Sequence, residues 1–323
     1  MVTAIRIHAH GGPEVLAVED MPLADPGPGE ALVRNEAVGL NFFDTYQRSG
    51  LYPIELPATL GCESAGVVEA VGDGVTDVRP GDRVACPEAP GAYAEAVVVA
   101  ADRLVPLPDD IETRTAAAVL SKALTVQALL EACYPVAAGD TILFHAAAGG
   151  VGLIACQWAK TLGARVIGTV SSDEKAELAR AHGCDVALVV PRDDVAARVR
   201  EETGGEGVPV VFDSVGRDSF RASLASLRRR GTLVSFGQSS GEVEPFRPGL
   251  LAQHGSLYLT RPTLGDYMVT RDALLAGSAR VFEMIRAGTI KVHIGQTYPL
   301  AETAQAHRDL EGRKTKGATV LLP

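Results

Sequence analysis

The sequence predicts an α/β protein in which a doubly wound parallel sheet of six strands is inserted in a β-rich domain. Three observations predict this. From Asp140 onward, short Val/Leu/Ile runs alternate regularly with segments of helical periodicity. The first of these strands ends in the glycine-rich turn Ala146–Gly152. Before that point the chain reads as short strands punctuated by Gly, Pro and Asp.

In chain order, strands are expected at Ala4–Ala9, Ala31–Val38, Ala65–Val71, Arg83–Ala85 and Ala92–Val99, which are rich in Val and Ala or alternate apolar with polar. The turns Asp25-Pro-Gly-Pro-Gly29, Val71-Gly-Asp-Gly74 and Pro80-Gly-Asp82 separate them, a rhythm that suggests a barrel-like domain. Thr113–Cys133 is a long Ala/Leu-rich helical stretch closed by Pro135 and Gly139. The six strands of the parallel sheet are expected at Thr141–His145, Arg165–Val170, Val186–Val190, Val208–Asp213, Thr232–Phe236 and Ser256–Leu259. Helices at Gly150–Leu162, Asp173–His182, Asp193–Glu202, Ser219–Arg229 and near Pro248–His254 connect them, and right-handed crossovers place helices on both faces. Ser171-x-x-Glu174 reads as a capping box for the second of these helices. A last helix, about Arg271 to Ala287, carries Leu274, Val281, Phe282 and Ile285 on one side, and a short strand pair closes the chain.

The turn after the first parallel strand has a chemical reading. Against the pattern G-x-G-x-x-G, Ala147 replaces the first glycine, while Gly149 and Gly152 hold the second and third places, with Gly150 and Val151 between them. Small residues let the backbone approach a pyrophosphate, and the amides and dipole of the following helix favour its charge. The strand before and the strand–helix pair after supply the context that makes this a dinucleotide site.

Bulk properties narrow the function classes. The 323 residues suffice for two domains, and 46% hydrophobic with 22% charged residues is ordinary globular composition. A net charge of −10 argues against nucleic-acid binding, which needs clustered cations. The small basic cluster Arg313, Lys314 and Lys316 reads by itself as a solvated face. Residues 1–12 lack the apolar core of a signal peptide, and no apolar run is expected to cross a membrane. Cys62, Cys86, Cys133, Cys156 and Cys184 are odd in number, scattered and without a C-x-x-C pair. They suit a reducing cytoplasm, and a cytoplasmic protein is expected.

His10-Gly-Gly-Pro-Glu-Val-Leu16, Asn41-Phe-Phe-Asp-Thr-Tyr46, Arg48-Ser-Gly-Leu-Tyr-Pro53 and Gly81-Asp-Arg-Val84 carry a resemblance that covers nearly the whole chain. Phe144–Gly152, Asp213-Ser-Val-Gly216, Ser235-Phe-Gly237 and Gly255–Pro262 continue it. The chain resembles the medium-chain dehydrogenase/reductase superfamily, and within it the zinc-independent, zeta-crystallin-like NADPH:quinone oxidoreductases. The resemblance implies a GroES-like catalytic domain (residues 1–122 and a C-terminal return, 265–323) with a Rossmann NADPH-binding domain (123–264) inserted in it. It also implies a cleft between them and a homodimer, commonly paired through Rossmann-sheet edges.

Zinc-dependent relatives bind metal through a Cys, the His of a G-H-E motif and a third donor. Here Asn41 and Cys62 occupy the first two places, and a tetrahedral site needs more donors than remain, so no metal is expected and Cys62 reads as a packing thiol. The second parallel strand runs into Gly168-Thr-Val-Ser-Ser172 rather than a ribose-binding carboxylate, with Lys175 one turn on. Small hydroxyls at Ser171 and Ser172 leave room for a 2′-phosphate. Alone, Lys175 reads equally as a solvated helix residue; the resemblance makes it a phosphate ligand and NADPH the cofactor. Relatives carry a tyrosine where this chain has Val190, which leaves two alternatives: Arg192 substitutes as a phosphate donor, or discrimination of the 2′-phosphate is weaker.

Asn41, Tyr46 and Tyr52 are the expected catalytic residues, around nicotinamide and quinone, although Asn41 also suits a turn and the tyrosines also suit packing. His8, His10 and His145 are read as ordinary strand or turn histidines. Further cofactor contacts are expected at Thr125, Ser214, Phe236, Gly237, Leu259, Thr260 and Arg261, mostly at strand ends, and by resemblance at Arg313. The expected function is metal-free reduction of a small-molecule quinone by NADPH. The alternatives are reduction of an enone, enal or enoyl thioester, and a crystallin-like structural or nucleic-acid-binding protein.

Overall fold

In the computed structural model, which describes Met1–Pro323, the chain opens with an antiparallel pair, β1 (Val2–Ile7) and β2 (Ala17–Met21). The long strand β3 (Glu30–Leu40) runs directly into helix α1 (Phe42–Ser49). Strands β4 (Ala58–Thr59), β5 (Glu63–Val71), β6 (Arg83–Cys86), β7 (Ala96–Ala100) and β8 (Val105–Pro106) follow, then helix α2 (Thr113–Gln127). The alternating region comprises β9 (Thr141–Phe144), α3 (Gly150–Thr161), β10 (Arg165–Val170), α4 (Asp173–Ala181), β11 (Val186–Val189), α5 (Val195–Glu202) and β12 (Val208–Asp213). It continues through α6 (Phe220–Ser226), β13 (Leu227–Ser235), α7 (Gly249–Gln253), β14 (Tyr258–Thr260) and α8 (Leu264–Tyr267). The chain ends with α9 (Arg271–Arg286), β15 (Ile294–Pro299), α10 (Thr303–Glu311) and β16 (Ala318–Leu322).

Two units result. One comprises Met1–Lys122, Thr270–Phe282 and Val292–Pro323; the other comprises Ala123–Val269 and Glu283–Lys291. In the first, β2-β1-β4 form a small sheet, and β15-β16-β3-β5-β6-β8 form a larger one to which β7 adds by pairing with β3. Ile5, Ile7, Val33, Val38, Leu60, Val68, Val84, Tyr93 and Leu104 fill its core together with Leu300 and Leu321, so both chain ends share one core. In the second, six parallel strands take the order β11-β10-β9-β12-β13-β14, the doubly wound arrangement expected from sequence. Leu143, Ile167, Val211 and Leu233 from the sheet pack with Val199, Phe220 and Leu224 from its helices.

Several local expectations are corrected. Helix α6 stops at Ser226 instead of Arg229, and β13 starts at once. The Arg200 guanidinium explains the stop: it captures the Ala225 and Leu227 carbonyls, the former at 3.0 Å and the latter at 2.9 Å. The expected closing strand pair is present as β15 and β16; it is parallel, which requires a crossover, and α10 supplies it. The cap of α4 is Ser172, whose hydroxyl accepts the Lys175 amide, so Ser171 and Glu174 do not form the expected box. β10 ends at Val170, which places Ser171 outside the helix and shifts the cap by one residue. The stretch Thr113–Cys133 is long and apolar enough to span a bilayer, contrary to the expectation that no run is, yet 67% of its apolar window is buried inside the protein, which makes it a core helix. Its last turn, Ala128–Cys133, widens into a π-helix.

Candidate active site

Candidate residues gather in each unit. In the Rossmann unit, β9 delivers the chain to Ala146, which adopts a left-handed φ of 55°, and Gly149 caps α3. The Ala146 carbonyl accepts the Gly149 amide at 2.9 Å, and the Ala147 amide donates to Thr169 O at 2.9 Å. Gly152 is required: a Cβ there would lie 2.3 Å from Ala146 O and 2.7 Å from Ala147 C. Ala147 in turn sits against Gly168, where an added Cβ would come within 2.5 Å of the Ala147 methyl. The helix thereby packs close to the sheet, while the amides of its first turn, Gly150 to Gly152, have no partner one turn earlier within the helix. These residues fit a pyrophosphate.

At the end of β10, Ser171 is exposed and Ser172 and Lys175 are half-buried. Arg192 donates to both Asp173 oxygens, at 2.9 and 3.2 Å, and to Asp193 at 3.4 Å. Asp173 next to the candidate phosphate subsite is therefore charge-paired with Arg192. A serine–lysine subsite in which Asp173 is paired with Arg192 fits a 2′-phosphate. Ser214 approaches Gly237 so closely that a Cβ on Gly237 would lie 2.7 Å from Ser214 O. The Phe236 amide donates to Asp213 O at 2.8 Å, and Arg261 Nη1 donates to the Ser235 and Gly237 carbonyls at 2.9 Å each. Leu259 is exposed and Thr260 half-buried at the end of β14; Thr125 lies late in α2, which begins at Thr113. Arg313 follows α10 in the other unit, exposed and with a left-handed φ of 58°.

In the first unit Asn41 is the N-cap of α1, and its backbone amide donates to Asp44 Oδ2 at 2.8 Å. Its side-chain Nδ2 donates to Glu63 Oε2 at 3.0 Å and reaches Cys62 Sγ at 3.6 Å. Glu63 also accepts Lys122 Nζ at 2.8 Å and the Ser121 amide at 2.7 Å, and both members of the Lys122–Glu63 pair are buried. Gly39 makes room, since a Cβ there would lie 2.6 Å from Glu63 Oε2. Burial, followed by the Asp44 and Glu63 charges, pushes the Cys62 thiol well above its ordinary pKa. The amide of Asn41 is no thiolate, and Glu63 already carries the internal cation Lys122, so the residues here do not make up a catalytic zinc donor set. Tyr46 and Tyr52 stack edge to face at 5.2 Å, and Phe43 closes on Tyr52 at 5.6 Å, so the two expected tyrosines form one aromatic cluster beside Asn41.

Beneath this helix lies a polar chain that the sequence did not announce. Arg48 Nη1 donates to His307 Nδ1 at 2.9 Å, and Arg48 also holds Glu311 at 2.7 and 3.0 Å. Arginine only donates, so His307 carries its proton on Nε2 and gives it to the Tyr93 oxygen, 3.0 Å away. Tyr93 then donates to Asp44 Oδ2 at 2.8 Å. Burial raises the Asp44 carboxyl to about 6, and burial beside Arg48 lowers His307 to about 3. Glu63 directly follows Cys62 in the sequence, but nothing local marks Lys122, Tyr93 or His307 as its associates or those of Asp44.

Two family models match: the alcohol dehydrogenase GroES-like domain over residues 27–109 and a zinc-binding dehydrogenase model over 150–274. The second match covers the dinucleotide turn and excludes Asn41 and Cys62, so it says nothing of a metal in this chain. A quinone oxidoreductase of Pseudomonas aeruginosa is 54% identical, with 100% of each chain covered. The crystal structure of Escherichia coli quinone oxidoreductase complexed with NADPH superposes with a TM-score of 0.98 at 48% identity, covering 99% of this chain and 100% of that one. A 2-haloacrylate reductase of a Burkholderia species is 44% identical over 100% of this chain and 99% of its own. The chain belongs to the quinone oxidoreductase family of the medium-chain dehydrogenase/reductase superfamily.

Proposed function

We propose that this chain reduces quinones with NADPH and without a metal ion. The observation that carries the reading is the full-length identity to quinone oxidoreductases combined with an intact dinucleotide turn and the Ser172–Lys175 subsite. Bound NADPH supplies a hydride, which with one proton converts a quinone to its hydroquinone. The turn amides at Gly150, Val151 and Gly152 hold the pyrophosphate, and Ser171, Ser172 and Lys175 hold the 2′-phosphate, with Arg192 a second cation. Asn41, Tyr46 and Tyr52 orient the reacting rings: the Glu63 carboxylate fixes the Asn41 amide, and the tyrosines offer flat faces and hydroxyls. Thr125, Ser214, Phe236, Gly237, Leu259, Thr260, Arg261 and Arg313 are the further cofactor contacts in this reading. A quinone is already electrophilic, so holding it in place and excluding water does the work otherwise given to a Lewis acid.

The relative named for 2-haloacrylate favours a second reading, reduction of an activated carbon–carbon double bond on the same scaffold. NADPH oxidation measured with benzoquinones, naphthoquinones, enones and 2-haloacrylate separates the two. Quinones are expected to turn over fastest, at rates unchanged by a strong chelator. Turnover confined to the alkenes overturns the leading reading, and loss of activity on chelation overturns its metal-free character. We also assign the chain to the cytoplasm, on its five free cysteines, and read it as a homodimer.

A further inference from the structure

Behind the dinucleotide turn lies a second buried polar chain, and the direction of every hydrogen bond in it can be deduced. Asp213, at the end of β12, is buried, which by itself raises its pKa, but its Oδ1 accepts the Val215 and Gly216 amides at 2.8 and 3.1 Å, and with the Ser223 and Ser219 hydroxyls they favour the charged form. It is therefore a carboxylate and accepts only. Ser223 Oγ lies 2.6 Å from Asp213 Oδ2 and must donate to it. The Ser223 proton being committed, its oxygen accepts His145 Nε2–H at 3.0 Å. His145 is thus left with a lone pair on Nδ1, which takes the Thr169 hydroxyl proton at 2.9 Å. The Thr169 oxygen is then free to accept the Ala146 amide at 3.3 Å, at the residue whose left-handed φ starts the turn. Each alternative tautomer places two donors or two acceptors face to face.

We propose that His145 is a positioning residue for cofactor binding: its one neutral tautomer carries the fixed orientation of the Asp213 carboxylate through Ser223 and Thr169 to the Ala146 amide, and so sets the turn that receives the pyrophosphate. The proposal rests on the dinucleotide reading of that turn. Burial lowers the imidazole pKa, with Asp213 opposing, which keeps the ring neutral near pH 7. The side chain itself touches no ligand; it acts through Thr169.

The test is fluorescence titration of NADPH and NADH into wild type, Thr169→Val, His145→Phe and His145→Gln. The pyrophosphate is common to both cofactors, so Thr169→Val and His145→Phe should raise both dissociation constants alike, by about threefold to tenfold, the order of one neutral hydrogen bond. His145→Gln, which keeps one donor and one acceptor, should recover most of the affinity. Turnover at saturating NADPH should stay within about twofold of wild type, because no reacting group is touched. Thr169→Val is nearly isosteric and keeps the question answerable if His145→Phe does not fold. Dissociation constants equal to wild type in a folded Thr169→Val protein, even with a lowered melting temperature, overturn the proposal. Wild type preferring NADH overturns the NADPH reading alone, and wild type binding neither cofactor overturns both.

Discussion

Lys175 and Lys122 are both lysines near candidate site residues, and their surroundings give them different work. Lys175 is half-buried beside the Ser172 cap, with Asp173 already held by Arg192. In the proposed reading, replacing it by alanine removes a charge-assisted hydrogen bond to a 2′-phosphate, of about 1.5–3 kcal/mol. Lys175→Ala should weaken NADPH about tenfold to a hundredfold and leave NADH unchanged, read by titration of each cofactor. Equal losses for both would make this lysine a support of the helix. Lys122 instead neutralises Glu63 inside the protein, where that carboxylate also fixes Asn41. Lys122→Met strands a buried charge and should cost about 3–5 kcal/mol in urea unfolding, with part of it recovered when Glu63→Gln is added. A loss below about 1 kcal/mol would mean that water reaches the pair, as at a surface salt bridge.

Helices α1 and α10 are coupled by the chain Arg48–His307–Tyr93–Asp44, and its titration has a definite sign. His307 is held near 3 in the folded protein against 6.5 for a free imidazole, so below about pH 6.5 the unfolded chain binds the extra proton. Stability from this group is complete above pH 6.5 and is lost as pH falls through that window. At pH 5 the loss is about 2 kcal/mol, at about 1.4 kcal/mol per unit. Asp44 works in the opposite direction, since its raised carboxyl favours the folded state in acid between 3.8 and about 6. His307→Gln keeps a donor and an acceptor without titrating. Its urea midpoint should therefore fall less than that of wild type between pH 7 and pH 5. Identical falls would mean that other groups set the acid limb. Helix α1 itself begins where Asp44 returns a carboxylate to the Asn41 amide and ends at Gly50, whose φ is 81°. These are local signals, legible once Asn41 is read as a cap rather than only as a site residue.

For the whole molecule, the sheet order leaves β14 at an edge, with Tyr258 60% and Leu259 38% exposed there. An open strand edge bearing an aromatic residue is a template for pairing with a second copy. Sedimentation should give twice the mass of one chain, and Leu259→Lys should shift it toward the monomer; a wild-type monomer at micromolar concentration would remove this reading. The sequence by itself determined the alternation of strands and helices after Asp140, the glycine turn with its required Gly152, and the serine–lysine end of β10. Each of these is set by residues within a turn or two of one another, where backbone sterics and hydrophobic periodicity act. Only the tertiary structure decided the stop of α6 at the Arg200 guanidinium, the α10 crossover, and which buried polar groups became partners. Lys122 meets Glu63 across 59 positions, His145 meets Ser223 across 78, and Arg48 meets His307 across 259. A buried charge or ring nitrogen has no solvent to satisfy it, so its partner is whichever complementary group the packed core brings within hydrogen-bond distance, and no local pattern along the chain encodes that choice.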